Sequence, residues 1–92
     1  MDYTPHQLKE IERLAGLLTP ASEISVLLDL KSEDFFALDI STHGHPARRA
    51  YMTGMARSAQ RLRERNMELA EACAPAAIEQ CFRDLKNMMN DL

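Results

Sequence analysis

The sequence predicts an all-α protein of five helices. In successive stretches, apolar residues recur at spacings of three and four, as on one face of a helix. Proline or serine start signals precede these stretches, and neither strand-like alternation nor an Asn-Gly turn occurs. The 92 residues suffice for one small compact domain. Because a domain of this size buries only roughly 60–65 % of its unfolded surface, self-association would stabilise it.

The first helix is predicted to begin at Thr4-Pro5, within an N-terminal three-helix unit that spans residues 1–45. Thr4 and Gln7 have the spacing of a capping box, with Pro5 at the first helical position. Gly16 stands near the predicted end. The apolar face of this helix comprises Leu8, Ile11, Ala15 and Leu18.

The second and third helices are predicted in "LTPASEISVLLDLKSEDFFALDI", residues 18–40, which has the outline of a helix-turn-helix. A second Thr-Pro pair begins this stretch, and Ser32 is expected to cap the third helix. Glu33 and Asp34 then lie in its first turn, where carboxylates interact favourably with the helix dipole. Two acids of this helix therefore have a structural explanation.

The third helix is apolar around most of its circumference. At 100° per residue, Phe35, Phe36, Leu38 and Ile40 cover more than half of the turn. A helix that reads a DNA groove needs a free polar face, whereas this pattern indicates two apolar contacts. We expect Phe35 and Leu38 to make packing or partner contacts.

Residues 46–92 are predicted to form a helical hairpin that oligomerises. A long helix should run from Pro46 to about Cys73, and Pro75 should start the last helix, antiparallel to it. The last helix has a heptad-like apolar seam, the predicted oligomer interface, at Ile78, Cys81, Leu85, Met88 and Leu92.

Charge is segregated along the chain although the net charge is only −3. Residues 1–45 hold three basic and eight acidic side chains, net −5, whereas residues 48–65 hold six arginines and one glutamate, net +5. Segregated charge often faces a partner, and guanidinium groups match phosphate oxygens. The predicted DNA-phosphate contacts are Arg48, Arg49, Arg57, Arg61 and Arg65.

A solvated helix face is the alternative explanation for these arginines. Arg61 with Glu64, and Arg65 with Glu68, are spaced to pair along one helix. Arg48 has no nearby acid in the sequence, nor has its neighbour Arg49, so these two are the better phosphate candidates.

The sequence favours no catalytic, cofactor or metal site. It has no recognisable nucleophile context and no glycine-rich phosphate loop, so we expect a non-enzyme without a cofactor. His43, His45, Cys73 and Cys81 lack the paired short spacing of a zinc site, and His45 is expected to precede or cap the fourth helix. No signal peptide or apolar run of membrane-spanning length occurs, which predicts reduced thiols in a cytoplasmic protein.

The order of the motifs resembles the family of phage terminase small subunits and phage-related helix-turn-helix proteins. "TPASEISVLLDLKSEDFFALDI" is followed by "AYMTG" at 50–54, "LA" at 69–70 and "PAA" at 75–77, so the resemblance covers about residues 19–90. It implies a DNA-recognition subunit of a phage packaging machine, which forms rings through the helical hairpin. Such a subunit hands double-stranded DNA to a large subunit that carries the ATPase and the nuclease, and has no catalytic activity itself.

The chain differs from that family's pattern in its turns and in its third helix. Asp29 stands where the family commonly has glycine in the turn, and Cys73 where glycine often ends the long helix. The positions that would face DNA are Glu33, Ala37 and Ser41, none of them basic. We therefore expect DNA contacts from the arginines that begin at Arg48. The alternative is a protein–protein interaction module that kept the architecture without DNA binding.

Overall fold

The structure, a computed structural model, describes residues 2–91. These residues form five α-helices and no β-strand, which confirms the predicted all-α class. Leu92, the last residue of the predicted apolar seam, lies outside the described residues. The helices are α1 (Pro5–Gly16), α2 (Ala21–Leu27), α3 (Glu33–Ser41), α4 (Pro46–Glu71) and α5 (Pro75–Asn90).

Local sequence signals account for three of the helix starts. The Gln7 amide N–H donates to Thr4 Oγ1 at 3.1 Å and the Thr4 amide N–H donates to Gln7 Oε1 at 2.8 Å, which confirms the capping box. Ser32 Oγ accepts the amide N–H of Phe35 at 3.3 Å, so the predicted cap of α3 is also confirmed. The Ala47 amide N–H donates to His45 Nδ1 at 3.0 Å, so His45 caps α4 as expected.

The start of α2 differs from the Thr-Pro signal in the sequence. The helix begins at Ala21, with Pro20 as N-cap residue and no side-chain cap. The reason is that Thr19 belongs to the end of α1, where its amide N–H donates to the Leu14 carbonyl oxygen at 3.1 Å. Thr19, which was expected to start α2, therefore belongs to the end of α1.

Three helices end in the same way, each on a residue in the left-handed region. Leu18 follows α1 with φ 63°, Asp29 follows α2 with φ 50° and Cys73 follows α4 with φ 65°. In each case the amide N–H of the following residue donates to the carbonyl oxygen of the residue five positions before it, as in a Schellman motif. The helix-ending turns at Asp29 and Cys73 therefore form without the glycine that is typical of such positions.

Contacts within the chain divide it into two units, the first ending at Ser58 and the second beginning at Ala59. The first unit contains α1, α2, α3 and the start of α4 around one apolar core. At Gly54, α4 lies against the backbone of α1, since an added Cβ would overlap the Glu12 carbonyl oxygen. The buried apolar residues of this core are Ile11, Leu14, Ala15, Ile24, Phe36 and Ala47.

A polar cluster lies beside this core. Tyr3 Oη donates to Asp39 Oδ2 at 2.7 Å, and His45 Nε2 lies 3.6 Å from Asp39 Oδ1. The Tyr3 ring also makes edge contacts with Phe36 and His45. Burial, reinforced by the hydrogen bond and the charge of Asp39, raises the pKa of the Tyr3 phenol. The cluster therefore connects the N-terminal segment, α3 and the start of α4.

The second unit comprises the rest of α4, a turn and α5. Ala77 is the only buried residue of this unit among those described. Large apolar side chains on both of its helices are exposed, including Leu62 and Leu69 of α4 and Phe82 of α5. Within its described part, this unit has almost no hydrophobic core of its own.

Candidate functional site: an arginine-rich helix and unpartnered apolar surfaces

The first two arginines of α4 have different surroundings. Arg48 is partly buried, and its guanidinium donates to the Ile40 carbonyl oxygen near the end of α3 at 2.9 Å. Arg49 is exposed and makes no ion pair within residues 2–91. Of the two, Arg49 has its guanidinium available to an external phosphate, whereas Arg48 already satisfies an orphan carbonyl at a helix end.

Arg57 is exposed on α4 in the first unit and pairs with α1. Its Nη1 lies 3.3 Å from Glu12 Oε1, with most of the arginine side chain in solvent. An exposed pair of this kind contributes little to stability, because water competes for both charges. Only Nη1 takes part in this pair, so the other guanidinium donors of Arg57 have no acidic partner among the described residues.

Arg61 and Arg65 lie in the second unit, both exposed. Arg65 Nη1 is 3.5 Å from Glu68 Oε2, the expected pair along the helix. The other expected pair does not form, since Glu64 accepts instead from Gln60 Nε2 at 3.5 Å. Arg61 is therefore exposed without an acidic partner among the described residues.

The two adjacent phenylalanines of α3 have opposite environments. Phe36 is fully buried in the core, whereas Phe35 is 57 % exposed and Leu38 is 62 % exposed. The two residues predicted to contact packing neighbours or a partner therefore each have more than half of their surface in solvent. The α3 positions at Glu33, Ala37 and Ser41 are exposed as well, and they present no cation.

A shallow apolar depression lies between α2 and the start of α3. Its volume is about 330 Å³, and its lining includes the apolar Val26 and Leu27 and the acidic Glu23 and Glu33. Leu17 and Leu18 are also exposed in the first unit. The apolar residues that line this depression thus have acidic neighbours and no arginine beside them.

The predicted apolar seam of α5 is partly half-buried and partly exposed. Ile78 and Cys81 are half-buried, whereas Leu85 and Met88 are exposed. Phe82, at 67 % exposure, was missed by the sequence reasoning, whereas Met89, a residue that the sequence suggests for a deformable interface, is exposed as well. The signal that identifies them is the next apolar row of the same helix, which lies only 20–40° from Ile78 at 100° per residue.

An open cleft of about 530 Å³ lies between the end part of α4 and α5, entirely within the second unit. Apolar side chains dominate its floor, whereas Arg63 contributes a positive charge from α4, and Asp84 and Asp91 contribute negative charges from α5. Asp84 also accepts a hydrogen bond from Gln80 Nε2 at 3.0 Å. The apolar residues of the cleft are Met67, Cys81, Leu85 and Met88.

Residues 2–91 offer neither a metal cluster nor a membrane-spanning helix. No three His, Cys, Asp or Glu side chains in this range come together as a metal site, and Cys73 and Cys81 are both free thiols. No helix in the same range combines the length and the hydropathy needed to cross a bilayer. Comparison with protein-family models gave no match, and comparisons with curated proteins and with solved structures gave none either.

Proposed function

We propose that this protein is a non-catalytic, self-assembling DNA-associated subunit of the terminase small subunit type. The observation that carries the proposal is the set of exposed arginines on α4. Phosphate contacts by arginine supply sequence-independent affinity for duplex DNA. The arginines that are exposed are Arg49, Arg57, Arg61, Arg63 and Arg65.

In this proposal α2, the turn at Asp29 and α3 form a helix-turn-helix that serves as a scaffold. Its second helix presents Glu33, Ala37 and Ser41 to solvent, and these would not attract a phosphate backbone. Arg48 connects this scaffold to α4 through the carbonyl of Ile40. Phosphate contact is therefore assigned to the exposed arginines of α4. Of the phosphate contacts predicted from the sequence, Arg49 and Arg61 should contribute most, because neither has an acidic partner among the described residues.

Self-assembly is the second part of the proposal, with α4 and α5 as a helical hairpin. The interface would use Leu85 and Met88, together with Ile78 and Cys81 of the same seam. A packaging subunit of this type would deliver double-stranded DNA to a large subunit. That partner would supply the ATPase and nuclease chemistry, which fits the lack of a recognisable catalytic constellation in this sequence.

A salt titration of duplex DNA binding tests the phosphate contacts. Affinity should fall steeply between about 50 and 200 mM salt, and Arg49→Ala or Arg61→Ala should each reduce the salt slope by about one. Arg83→Ala is the matched control, because Arg83 lies on α5 and is 3.7 Å from Glu79. If the assembled protein does not bind duplex DNA at about 50 mM salt, the proposal is wrong.

A second candidate function, a protein–protein interaction module without DNA binding, is favoured by the exposure of Phe35 and Leu38. Phe35→Asp and Leu38→Asp should then abolish partner binding while the fold is retained, because neither residue is part of the core. Ala37→Asp, an equally charged change on the same helix, is the control. Unchanged mass and unchanged partners in both variants would exclude this candidate.

A further inference from the structure

Both ring nitrogens of His45 contact other groups of the first unit. Nδ1 accepts the amide N–H of Ala47 at 3.0 Å, and Nε2 lies 3.6 Å from Asp39 Oδ1 of α3. A ring nitrogen that accepts a hydrogen bond carries no proton, so the neutral ring has its single proton on Nε2, beside Asp39. The neutral form of His45 therefore caps α4 with one nitrogen and contacts α3 with the other.

The amide N–H that His45 binds belongs to a buried residue. Ala47 is 0 % exposed in the core of the first unit. Within residues 2–91, His45 Nδ1 is the only acceptor of its N–H. A buried donor that loses its acceptor is costly, because water does not reach it to take the acceptor's place. The hydrogen bond to His45 thus stabilises the packed first turn of α4.

We propose that His45 is a pH-sensitive cap that releases the first turn of α4 when its ring is protonated. Protonation places a hydrogen on Nδ1, the atom that accepts from Ala47, so two donors would then face each other across 3.0 Å. The ring must turn away, and the Ala47 N–H loses its acceptor. This step adds one proton and breaks one hydrogen bond, and it depends neither on DNA binding nor on self-assembly.

The charges around the ring act on the imidazolium in opposite directions. Asp39 attracts it, although this carboxylate already accepts a hydrogen bond from Tyr3 Oη at 2.7 Å. The positive end of the α4 dipole repels it, because a cation is unfavourable at a helix N-terminus. The phenol of Tyr3, whose ring centroid is 5.8 Å from that of the imidazole, carries no charge at acid pH.

The two cations of the first turn of α4 have other positions. The guanidinium of Arg48 donates to the Ile40 carbonyl oxygen, and Arg49 is exposed. Asp39 is therefore the group that can pair with a charged His45 ring. As a carboxylate of α3 it cannot, however, replace the acceptor that the Ala47 N–H loses when the ring turns, since it lies on the Nε2 side.

Amide hydrogen exchange of the full chain, measured by NMR at about pH 7.5 and about pH 5, tests the proposal on both sides of the ordinary histidine pKa of about 6.5. The ¹⁵N shifts of the ring show when His45 is protonated. The protection factor of the Ala47 amide corrects for the intrinsic effect of pH on exchange. In the wild type this factor should fall about tenfold or more at the lower pH, because the buried N–H has lost its acceptor.

Three variants separate the cap from other effects of pH. His45→Asn keeps an oxygen acceptor at the cap position but does not titrate, so the Ala47 amide should stay protected at both pH values. His45→Ala removes the acceptor and should lower the protection at both. His43→Asn is the matched control, because His43 is exposed in the loop before α4, and this variant should behave like the wild type.

Continued protection of the Ala47 amide in the wild type, while the ring of His45 is protonated, overturns the proposal. A ring that stays neutral at about pH 5, below the ordinary histidine pKa, overturns it as well. An equal loss of protection in His45→Asn and the wild type would trace the loss to another group and has the same consequence. If His45→Ala does not fold, the comparison of the wild type with His45→Asn decides alone.

Discussion

At the scale of single residues, three helices end at residues whose backbone is in a strained, left-handed conformation. Leu18, Asp29 and Cys73 all adopt positive φ, where an L-residue costs about 1–2 kcal/mol relative to glycine. Asp29 tolerates this region better than most residues, because aspartate is enriched there. Leu18 and Cys73 have no such advantage, and Cys73 is exposed, so its strain can be removed without disturbing a core.

We predict that Cys73→Gly stabilises the protein. Relief of the left-handed strain, less the greater freedom of glycine in the unfolded chain, should raise the free energy of unfolding by about 1 kcal/mol. Chemical denaturation under reducing conditions measures the change. Cys73→Ala is the control: it removes the thiol but keeps a Cβ, and should differ little from wild type. Equal stability of the two variants would refute the strain argument.

The second prediction at this scale concerns alkaline pH and Tyr3. Its pKa is raised in the folded state, so the folded protein holds this proton more tightly than the unfolded chain does. The associated stability is present below the unfolded value of about 10 and is lost as the pH rises above it. The free energy of unfolding should therefore fall above about pH 10, and Tyr3→Phe should show a smaller fall.

Tyr51→Phe is the matched control, since Tyr51 makes no comparable hydrogen bond to a carboxylate among the described residues. Parallel pH profiles of wild type and Tyr3→Phe would show that ionisation of Tyr3 does not cause the alkaline loss of stability. Urea denaturation at pH values between about 8 and 11 measures the free energy of unfolding on both sides of the ordinary tyrosine pKa.

Much of this residue-level detail could be predicted from spacing alone. Thr4 with Gln7, and Ser32 with Phe35, obey local rules that involve residues three apart, so the sequence predicts them directly. Arg48 could not be predicted in this way. Its hydrogen bond to Ile40 depends on how α3 and α4 meet, which no local pattern contains.

At the scale of elements, α4 buries a different face from the one its apolar residues suggest. Large apolar residues of this helix, among them Met55, Leu62 and Leu69, are exposed. The buried residues that α4 contributes to the first unit are small: Ala47, Gly54 and Ser58. The periodicity of large apolar residues indicates a helix. Close packing between two helices, however, requires small residues at the contact, so this periodicity does not identify the face of α4 that packs.

We predict that Gly54→Ala destabilises the protein although it improves helix propensity. Propensity alone favours alanine by about 1 kcal/mol. The added Cβ, however, would overlap the Glu12 carbonyl oxygen and lie close to the Gly16 amide, and both are backbone atoms that cannot turn aside. We expect a net loss of about 1–2 kcal/mol as α1 and α4 separate.

Thermal and urea denaturation measure this loss, and Ala56→Gly measures the propensity term at an exposed position of the same helix. Both substitutions should destabilise, although they change glycine and alanine in opposite directions. A Gly54→Ala variant more stable than wild type would mean that α1 and α4 do not pack closely at this position.

At the scale of the whole molecule, exposed apolar surface and segregated charge are the two dominant features. Both were visible in the sequence as net charges of −5 and +5 in different segments and as an apolar seam on the last helix. The sequence could not reveal that Phe82 is exposed or that Arg63 lies in a cleft with Asp84. Those facts depend on the angle at which α4 and α5 meet, which no local sequence pattern contains.

If a second copy covers the apolar surface of α5, thermal stability must depend on protein concentration. Association stabilises the folded state by mass action, so the midpoint of unfolding, Tm, should rise by roughly 4 °C for each tenfold increase in concentration. Leu85→Lys places a charge in the proposed interface and should abolish this dependence. Lys86→Leu at the neighbouring exposed position is a control for general changes in hydropathy, and this variant should retain the dependence of Tm on concentration. Differential scanning calorimetry over two decades of concentration measures the slope, and a wild-type Tm that is constant over that range would show that the protein unfolds as a monomer.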